Sequence, residues 1–121
     1  QIDYWRKQLK NIPPVLDFPL DFPRPSYQTS SGDYKLFNLP PVTREALNTI
    51  SRQNNASLFM TMLAAFYILL QRYSGQDDIC VGSPVANRNR AETEALIGFF
   101  VNTLVLRGDL SGNPSFPEFV E

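Results

Sequence analysis

The chain has 121 residues, among them 11 basic and 12 acidic side chains, one cysteine and no histidine. Without histidine it offers no Ser-His or Cys-His catalytic unit and no His-bearing zinc site, and one cysteine excludes an internal disulfide. The formal net charge of −1 gives no electrostatic reason to expect nucleic acid or an anionic membrane as a partner.

Both ends of the sequence look like cuts through a longer chain. The N-terminus has neither an initiator methionine nor the apolar run of a signal peptide, and the last residues favour the start of a helix. A single cysteine gives no reason to expect secretion. We therefore expect a piece of a larger protein in a reducing, cytoplasmic setting.

The first forty residues predict a short helix, a linker and a strand. Residues 3–10 fit a helix with Asp3 as its N-cap and Trp5 as a packing anchor. Residues 11–32 contain half of the ten prolines. Because proline fixes φ and removes a donor, this stretch is predicted to be an extended linker, whose aromatic side chains lie along a surface. The alternation in residues 33–39 predicts a strand.

Two helices are predicted next. Residues 41–53 are amphipathic, and residues 58–73 form a second helix with Ser57 as its N-cap. The second helix is apolar nearly all round, which predicts a central core helix, and its apolar run is shorter than the roughly 20 residues that span a bilayer. Met60 and Met62 are expected to fill gaps in that core.

Two strands are predicted in the last third of the chain. Residues 78–85 fit a buried strand, in which Cys80 is an inert core thiol. Residues 97–106 are apolar on both faces, which is typical of a central strand covered on both sides. Between them, residues 92–96 fit one helical turn. Only three strands are predicted in all, which is too few to give the two long apolar strands the neighbours they need. This again indicates a piece of a larger sheet.

Two arginines after the first buried strand are candidates for anion binding. Arg88 could clamp an anion such as a phosphate, or form salt bridges with Glu92, Glu94 or a missing part of the protein, and both interpretations stand. For Arg90 the salt bridge is favoured. Ser83 lacks a base in this chain, so we reject it as a nucleophile.

Two polar residues interrupt the second strand. A buried amide must be satisfied, so Asn102 either pins a neighbouring loop or lines a cavity and hydrogen-bonds a substrate amide or thioester. The residues alone favour the pin. Thr103 follows it, and Arg107 is expected to form a structural ion pair. The acidic pair Asp77-Asp78 fits a turn, so no metal site is predicted.

Several of these segments resemble one family, in its own order along the chain. The run Ile97-Gly98-Phe99-Phe100-Val101-Asn102-Thr103-Leu104-Val105-Leu106-Arg107 resembles the fifth core motif of condensation domains of nonribosomal peptide synthetases. Residues 82–88 resemble the strand and loop before it, and residues 57–79 its central helix and exit. Tyr4-Trp5 and the proline-rich 21–25 are similar to the segment that joins its two subdomains.

The resemblance implies a two-layer α/β (α+β) fold, namely an incomplete chloramphenicol-acetyltransferase-like subdomain. Residues 1–10 would end the N-terminal subdomain, 11–32 would be the inter-subdomain linker, and 33–121 would begin the C-terminal subdomain. The family joins an aminoacyl or peptidyl thioester to the amine of a second one, and carrier domains hold both on phosphopantetheine arms. Its HHxxxDG motif belongs to the N-terminal subdomain, and nothing in this chain matches it.

The same resemblance assigns roles to particular residues. Asn102 corresponds to an asparagine that faces the active-site tunnel and positions substrate or a loop, while Phe99 and Thr103 would line the tunnel wall. No catalytic residue, metal ligand or directly bound cofactor is implied here. The implied partners are peptidyl carrier domains, adenylation domains and the remainder of the condensation domain, with no nucleic acid and no membrane.

Two alternatives stay open at this point. The chain could belong to a non-catalytic scaffold or docking relative of the same fold, or to an acyltransferase that uses a carrier-bound donor and a free acceptor. In every case we expect the 121 residues by themselves to be inactive and prone to aggregation, because their strands lack partners.

Overall fold

The computed structural model describes residues 1–27, 30–88 and 90–120. Within these ranges the elements follow in the order α1 (Ile2–Gln8), α2 (Pro41–Gln53), α3 (Leu58–Ser74), β1 (Asp78–Val85), α4 (Ala91–Glu94), β2 (Asn102–Asp109) and α5 (Phe116–Val120).

The two strands form an antiparallel pair whose register runs from Asp78 opposite Asp109 to Val85 opposite Asn102. Helix α3 lies against this sheet and buries Tyr67 and Leu70 against Ile79 of β1. Helix on sheet is the two-layer α/β arrangement that the resemblance implies.

Helices α2 and α3 have clear start and stop signals, and the sequence predicts their bounds to within one residue. Pro41 occupies the first turn of α2, where its missing N–H costs no hydrogen bond. The Ser57 hydroxyl accepts from the Met60 backbone N at 3.2 Å and so caps α3. Helix α3 ends at Gly75, whose φ of 70° is the left-handed conformation that glycine adopts without a Cβ clash.

The only polar residue in the first two turns of α3 is also one of its most buried. Thr61 is 2% exposed, and its hydroxyl lies 2.7 Å from the hydroxyl of Ser51 in α2, which is 4% exposed. The Ser51 hydroxyl donates to the Leu47 carbonyl at 2.8 Å, so Thr61 must donate to Ser51. This chain of hydrogen bonds joins the two helices.

The segment after α1 is held to the sheet only in its first part. Residues 12–27 and 30–40 contain no helix or strand. Gln76 accepts from the Asp17 backbone N at 2.6 Å and donates to the Val15 carbonyl at 3.2 Å. Phe18 stacks on Tyr73, with 5.5 Å between ring centroids. Farther along, the aromatic side chains at 22 and 27 are exposed, so the predicted surface contact stops before them.

Two strand predictions are wrong. Residues 33–39 are not a strand: Tyr34 and Leu36 are 82% and 87% exposed, so the segment has no buried face that would hold it against the sheet in the described chain. The predicted covered strand 97–106 begins only at Asn102 and ends at Asp109, and Ile97 and Phe99 are 105% and 90% exposed. A two-stranded sheet has no further layer to cover them.

Three helix predictions are also wrong. Asp3 lies inside the first turn of α1 instead of capping it, and Gln1 holds the cap position. Helix α3 is buried on one face only, through residues such as Ala64 and Tyr67. Met60 and Met62 are about two-fifths exposed (41% and 39%), so neither fills a core gap.

Among the described residues, no single helix combines the length and apolar composition needed to cross a bilayer. Within the same described ranges, only α2 and α3 taken together are long and apolar enough, and their axes bend by 102° at the break between them.

Candidate functional site

The predicted site residues gather at one end of the β1–β2 sheet. The last two pairs of the ladder are Pro84 opposite Thr103 and Val85 opposite Asn102. The loop that carries Arg88 leaves β1 here, and the segment that carries Phe99 enters β2 here. The antiparallel pairing therefore brings together residues that are distant in sequence.

Arg88 is surrounded by main-chain oxygens of the loop that follows it. Its Nη1 donates to three carbonyls and its Nη2 donates to a fourth at 3.2 Å. The four acceptors are the carbonyl oxygens of Thr93, Glu94, Leu96 and Gly98. The guanidinium fork, with five N–H donors, can bind several carbonyls at once.

The guanidinium of Arg88 also lies over an aromatic ring. Its Cζ is 4.3 Å from the centroid of the Phe100 ring, which is cation–π geometry. The Phe100 ring also lies so close to Gly98 that a Cβ built there would be 3.2 Å from the ring. Phe100 is half-buried, while its neighbour Phe99 is 90% exposed. We refer to Arg88, Gly98 and Phe100 as the Arg88 clamp.

Salt bridges to Glu92 or Glu94, one of the two interpretations of Arg88 and the favoured one of Arg90, are absent from residues 1–27, 30–88 and 90–120. Arg88 uses the main-chain carbonyl of Glu94, and Arg90 is exposed. Anion binding by Arg88 remains a prediction, although carbonyl oxygens already occupy both of its terminal nitrogens.

Asn102 and Thr103 are exposed instead of buried, because β2 has no cover at this end. The Asn102 Oδ1 accepts from the Thr103 backbone N at 2.8 Å, which makes a local turn-like contact and pins no neighbouring loop in the described chain. The Thr103 methyl lies against Gly82, where a Cβ would be 3.2 Å away. Apart from the Oδ1 contact, the Asn102 side chain is exposed to solvent.

A cavity of about 390 Å³ opens elsewhere, between α3, β2 and α5. It is lined in part by Tyr67, Gly108 and Phe119, and no predicted site residue of the described chain borders it. The buried Tyr67 hydroxyl donates to the Leu106 carbonyl at 2.8 Å. Burial, with a smaller contribution from Cys80, raises the pKa of Tyr67 to about 12, so this phenol stays neutral at physiological pH.

Cys80 is half-buried and free. Burial raises the pKa of its thiol, and the nearby Asp78 carboxylate raises it further. A protonated thiol is a poor nucleophile, which agrees with the inert role predicted for it. Among the described residues no three Cys, Asp or Glu side chains converge as metal ligands.

Sequence reasoning missed the Arg88 clamp. The available signal in the sequence is Gly98 two residues before Phe100, because a glycine leaves room for the aromatic ring to fold back over it. The carbonyl acceptors carry no signal in the sequence, since every residue has a carbonyl.

Comparisons with known proteins agree on one family. The model of the condensation domain family matches residues 1–121. A linear gramicidin synthase protein of Brevibacillus parabrevis is 55% identical over 120 residues, which are 99% of this chain and 2% of that protein. Malpinin synthetase of Mortierella alpina is 46% identical over 121 residues, which are 100% of this chain and 2% of that protein. The chain thus spans a small part of such proteins.

Solved structures share the fold. A four-domain nonribosomal peptide synthetase bound to AMP and glycine superposes with a TM-score of 0.91 at 28% identity, over 98% of this chain and 9% of that one. The first condensation domain of the CDA synthetase gives a TM-score of 0.77 at 24% identity, over 97% of this chain and 26% of that one. The second comparison shows the fold alone, and the chain corresponds to about a quarter of that chain's length (26%).

Proposed function

Because this chain belongs to the condensation-domain family, we propose that the protein containing it forms the amide bond between two carrier-bound thioesters in nonribosomal peptide synthesis. The observation that carries the proposal is the family match over residues 1–121. The 55% identity to a linear gramicidin synthase protein supports it.

The proposed reaction sets clear demands on the protein. The amine nitrogen of the acceptor attacks the donor carbonyl, a C–N bond forms, the C–S bond breaks, and the proton lost by the amine ends on the released phosphopantetheine thiol. This chain contains no histidine to relay that proton. We therefore assign proton transfer to the HHxxxDG motif that the resemblance implies, outside these 121 residues.

We assign the described residues a positioning function. The Asn102 amide lies exposed at the end of the sheet, and its Oδ1 is held by the Thr103 backbone N. This contact directs the amide nitrogen outward, where it can donate to a substrate carbonyl. Phe99 and Thr103 are exposed beside it and would form tunnel wall.

The wider organisation is part of the same proposal. Residues 1–10 end the N-terminal subdomain, 11–32 link the two subdomains, and 33–121 begin the C-terminal one. The absence of helices and strands from residues 12–27 and 30–40 supports the linker. Peptidyl carrier domains would deliver both substrates on phosphopantetheine, adenylation domains would load those carriers, and the assembly would be cytoplasmic.

The experiment uses the complete domain with its adjacent carriers. One carrier is loaded with a donor aminoacyl group and the other with an acceptor, and mass spectrometry of the acceptor carrier detects the dipeptidyl thioester. Product that requires both loaded carriers supports the proposal. If both stay loaded and unreacted on a folded domain, the protein is a scaffold instead. If the donor transfers only to a free amine, it is a carrier-dependent acyltransferase.

A further inference from the structure

The geometry points to Arg88 as a positioning residue, which holds the segment from Thr93 to Phe100 in one conformation and so places Phe99 and Asn102 at the end of the sheet. This inference rests on the proposed function for its catalytic consequence. Its structural content, a loop fixed by one side chain, is independent of that function.

Four main-chain carbonyls meet the single positive charge of Arg88. The carbonyl oxygens of residues 93, 94, 96 and 98 all point to a single guanidinium. None of these residues belongs to the β1–β2 ladder, so the strands do not satisfy these oxygens. Hydrogen bonds from a charged donor are stronger than neutral ones, which makes Arg88 the main constraint on this loop.

The packing of Phe100 gives this segment a second constraint. Its ring lies against both the Arg88 guanidinium and Gly98, where a Cβ would be 3.2 Å from the ring and would crowd it. Holding residue 100 on one side leaves Phe99 on the other, where it is 90% exposed. A shift by one residue would exchange the two rings and reverse which one faces outward. The clamp therefore sets the register in which the chain enters β2.

The clamped segment is adjacent in sequence to the proposed substrate contact. Strand β2 begins at Asn102, directly after the clamped segment, and Asn102 is opposite Val85 at the last position of the ladder. Because the ladder ends at Asn102, strand pairing fixes the backbone only on the side that follows it. The segment before Asn102 therefore decides how the residue is placed. Loss of the clamp is expected to displace Asn102 without removing a substrate contact.

The test compares three variants of the complete condensation domain. R88M keeps the length and the apolar stem but removes every donor, and R88K keeps the charge but loses the planar fork and its stacking. The matched control is R90M, since Arg90 lies in the same loop and is exposed. Hydrogen exchange is measured on peptides covering residues 91–101 and on peptides of α3, together with the rate and KM of dipeptide formation.

We expect R88M to speed exchange in residues 91–101 by about tenfold or more, with α3 unchanged, because loop opening becomes easier. The maximal rate should fall by about tenfold with a smaller change in KM, and R88K should give an intermediate loss in both readouts. R90M should match the parent domain in both.

The outcomes separate the two proposals. Unchanged exchange in residues 91–101 of a folded R88M domain overturns the positioning inference, whether or not the parent domain forms product. Faster exchange with full turnover overturns its catalytic consequence. A parent domain that forms no product contradicts the proposed function, and the exchange data still decide whether Arg88 holds the loop.

Discussion

Arg107 of β2 binds Asp78 of β1 through two parallel hydrogen bonds, with 2.8 Å from Nε to Oδ1 and 2.7 Å from Nη2 to Oδ2. Its remaining terminal nitrogen donates to the carbonyls of Gln8 and Lys10, at 2.7 and 3.2 Å. Helix ends leave carbonyls without partners, so one side chain both pairs the strands and satisfies the end of α1. The hydrogen bond to Asp78 raises the pKa of Arg107 further above its usual value, which keeps it charged.

Arg107→Lys should lower the melting temperature of the complete domain, because an ammonium cannot form the two parallel bonds and reach α1 at the same time. The matched control is Arg6→Lys, at an exposed pair with Asp3 whose N–O distance is 3.6 Å. Exposed pairs contribute little, so that variant should melt with the parent protein. Equal shifts in the two variants would show that the bidentate geometry is unimportant.

Gly108→Ala should destabilise the domain. A Cβ at this buried position would lie 3.1 Å from the rings of both Tyr67 and Phe119, which pack edge to face 5.8 Å apart. Overpacking of this kind costs about 1–3 kcal/mol. Gly32→Ala is the control, since nothing lies within 4 Å of a Cβ there, and its effect should stay within about 0.5 kcal/mol. Denaturant unfolding measures both, and equal stabilities would contradict the packing argument.

The hydroxyl pair between α2 and α3 predicts a non-additive double mutant. Ser51→Ala should cost about 1–3 kcal/mol, because it leaves the buried Thr61 hydroxyl without its acceptor. Thr61→Val should cost less, because the Ser51 hydroxyl keeps its hydrogen bond to the Leu47 carbonyl. The double mutant should cost less than the sum of the two, since it leaves no orphaned hydroxyl. Thr49→Val is the control on the exposed face of α2. Additive losses would mean that the 2.7 Å contact contributes no coupling.

These elements show what the sequence could predict. The helix bounds were predictable because Pro41, Ser57 and Gly75 are local signals. The strand at 78–85 was predictable from its apolar pattern. The Asp78 partner of Arg107 depends on strand register, and the α1 carbonyls depend on a contact across almost the whole chain, so neither has a local signal.

The candidate site was predicted in composition but not in geometry. The motif around Asn102 lies at the same end of the sheet as Arg88, and its role as a site stays a prediction. Its predicted burial was wrong, because burial depends on layers that the described residues do not supply. Arg88 drew attention as a charge next to a strand. Its actual partners are carbonyl oxygens, which no residue pattern reveals.

Tyr67 predicts a loss of stability at high pH. Its pKa is about 12 in the folded protein and 10.0 in the unfolded chain, so folding favours the neutral phenol. The unfolded chain loses this proton first, so the contribution of Tyr67 to stability should be constant below pH 10 and should be lost as the pH rises towards 12. Tyr67→Phe has no proton to lose and should flatten that part of the curve. Chemical denaturation at a series of pH values measures the slope, and identical slopes would contradict the assignment.

Asn102→Ala in the complete domain should reduce dipeptide formation by about tenfold or more, because a misplaced substrate carbonyl loses its near-attack geometry. Its stability should change by no more than about 0.5 kcal/mol, since the side chain is exposed and bonds only to the adjacent Thr103 N. Asn102→Asp keeps the acceptor but removes the amide donor, so it should fail equally. Gln53→Ala, at an exposed amide in α2, is the control for both assays. Full turnover in Asn102→Ala would leave Asn102 with a structural role only.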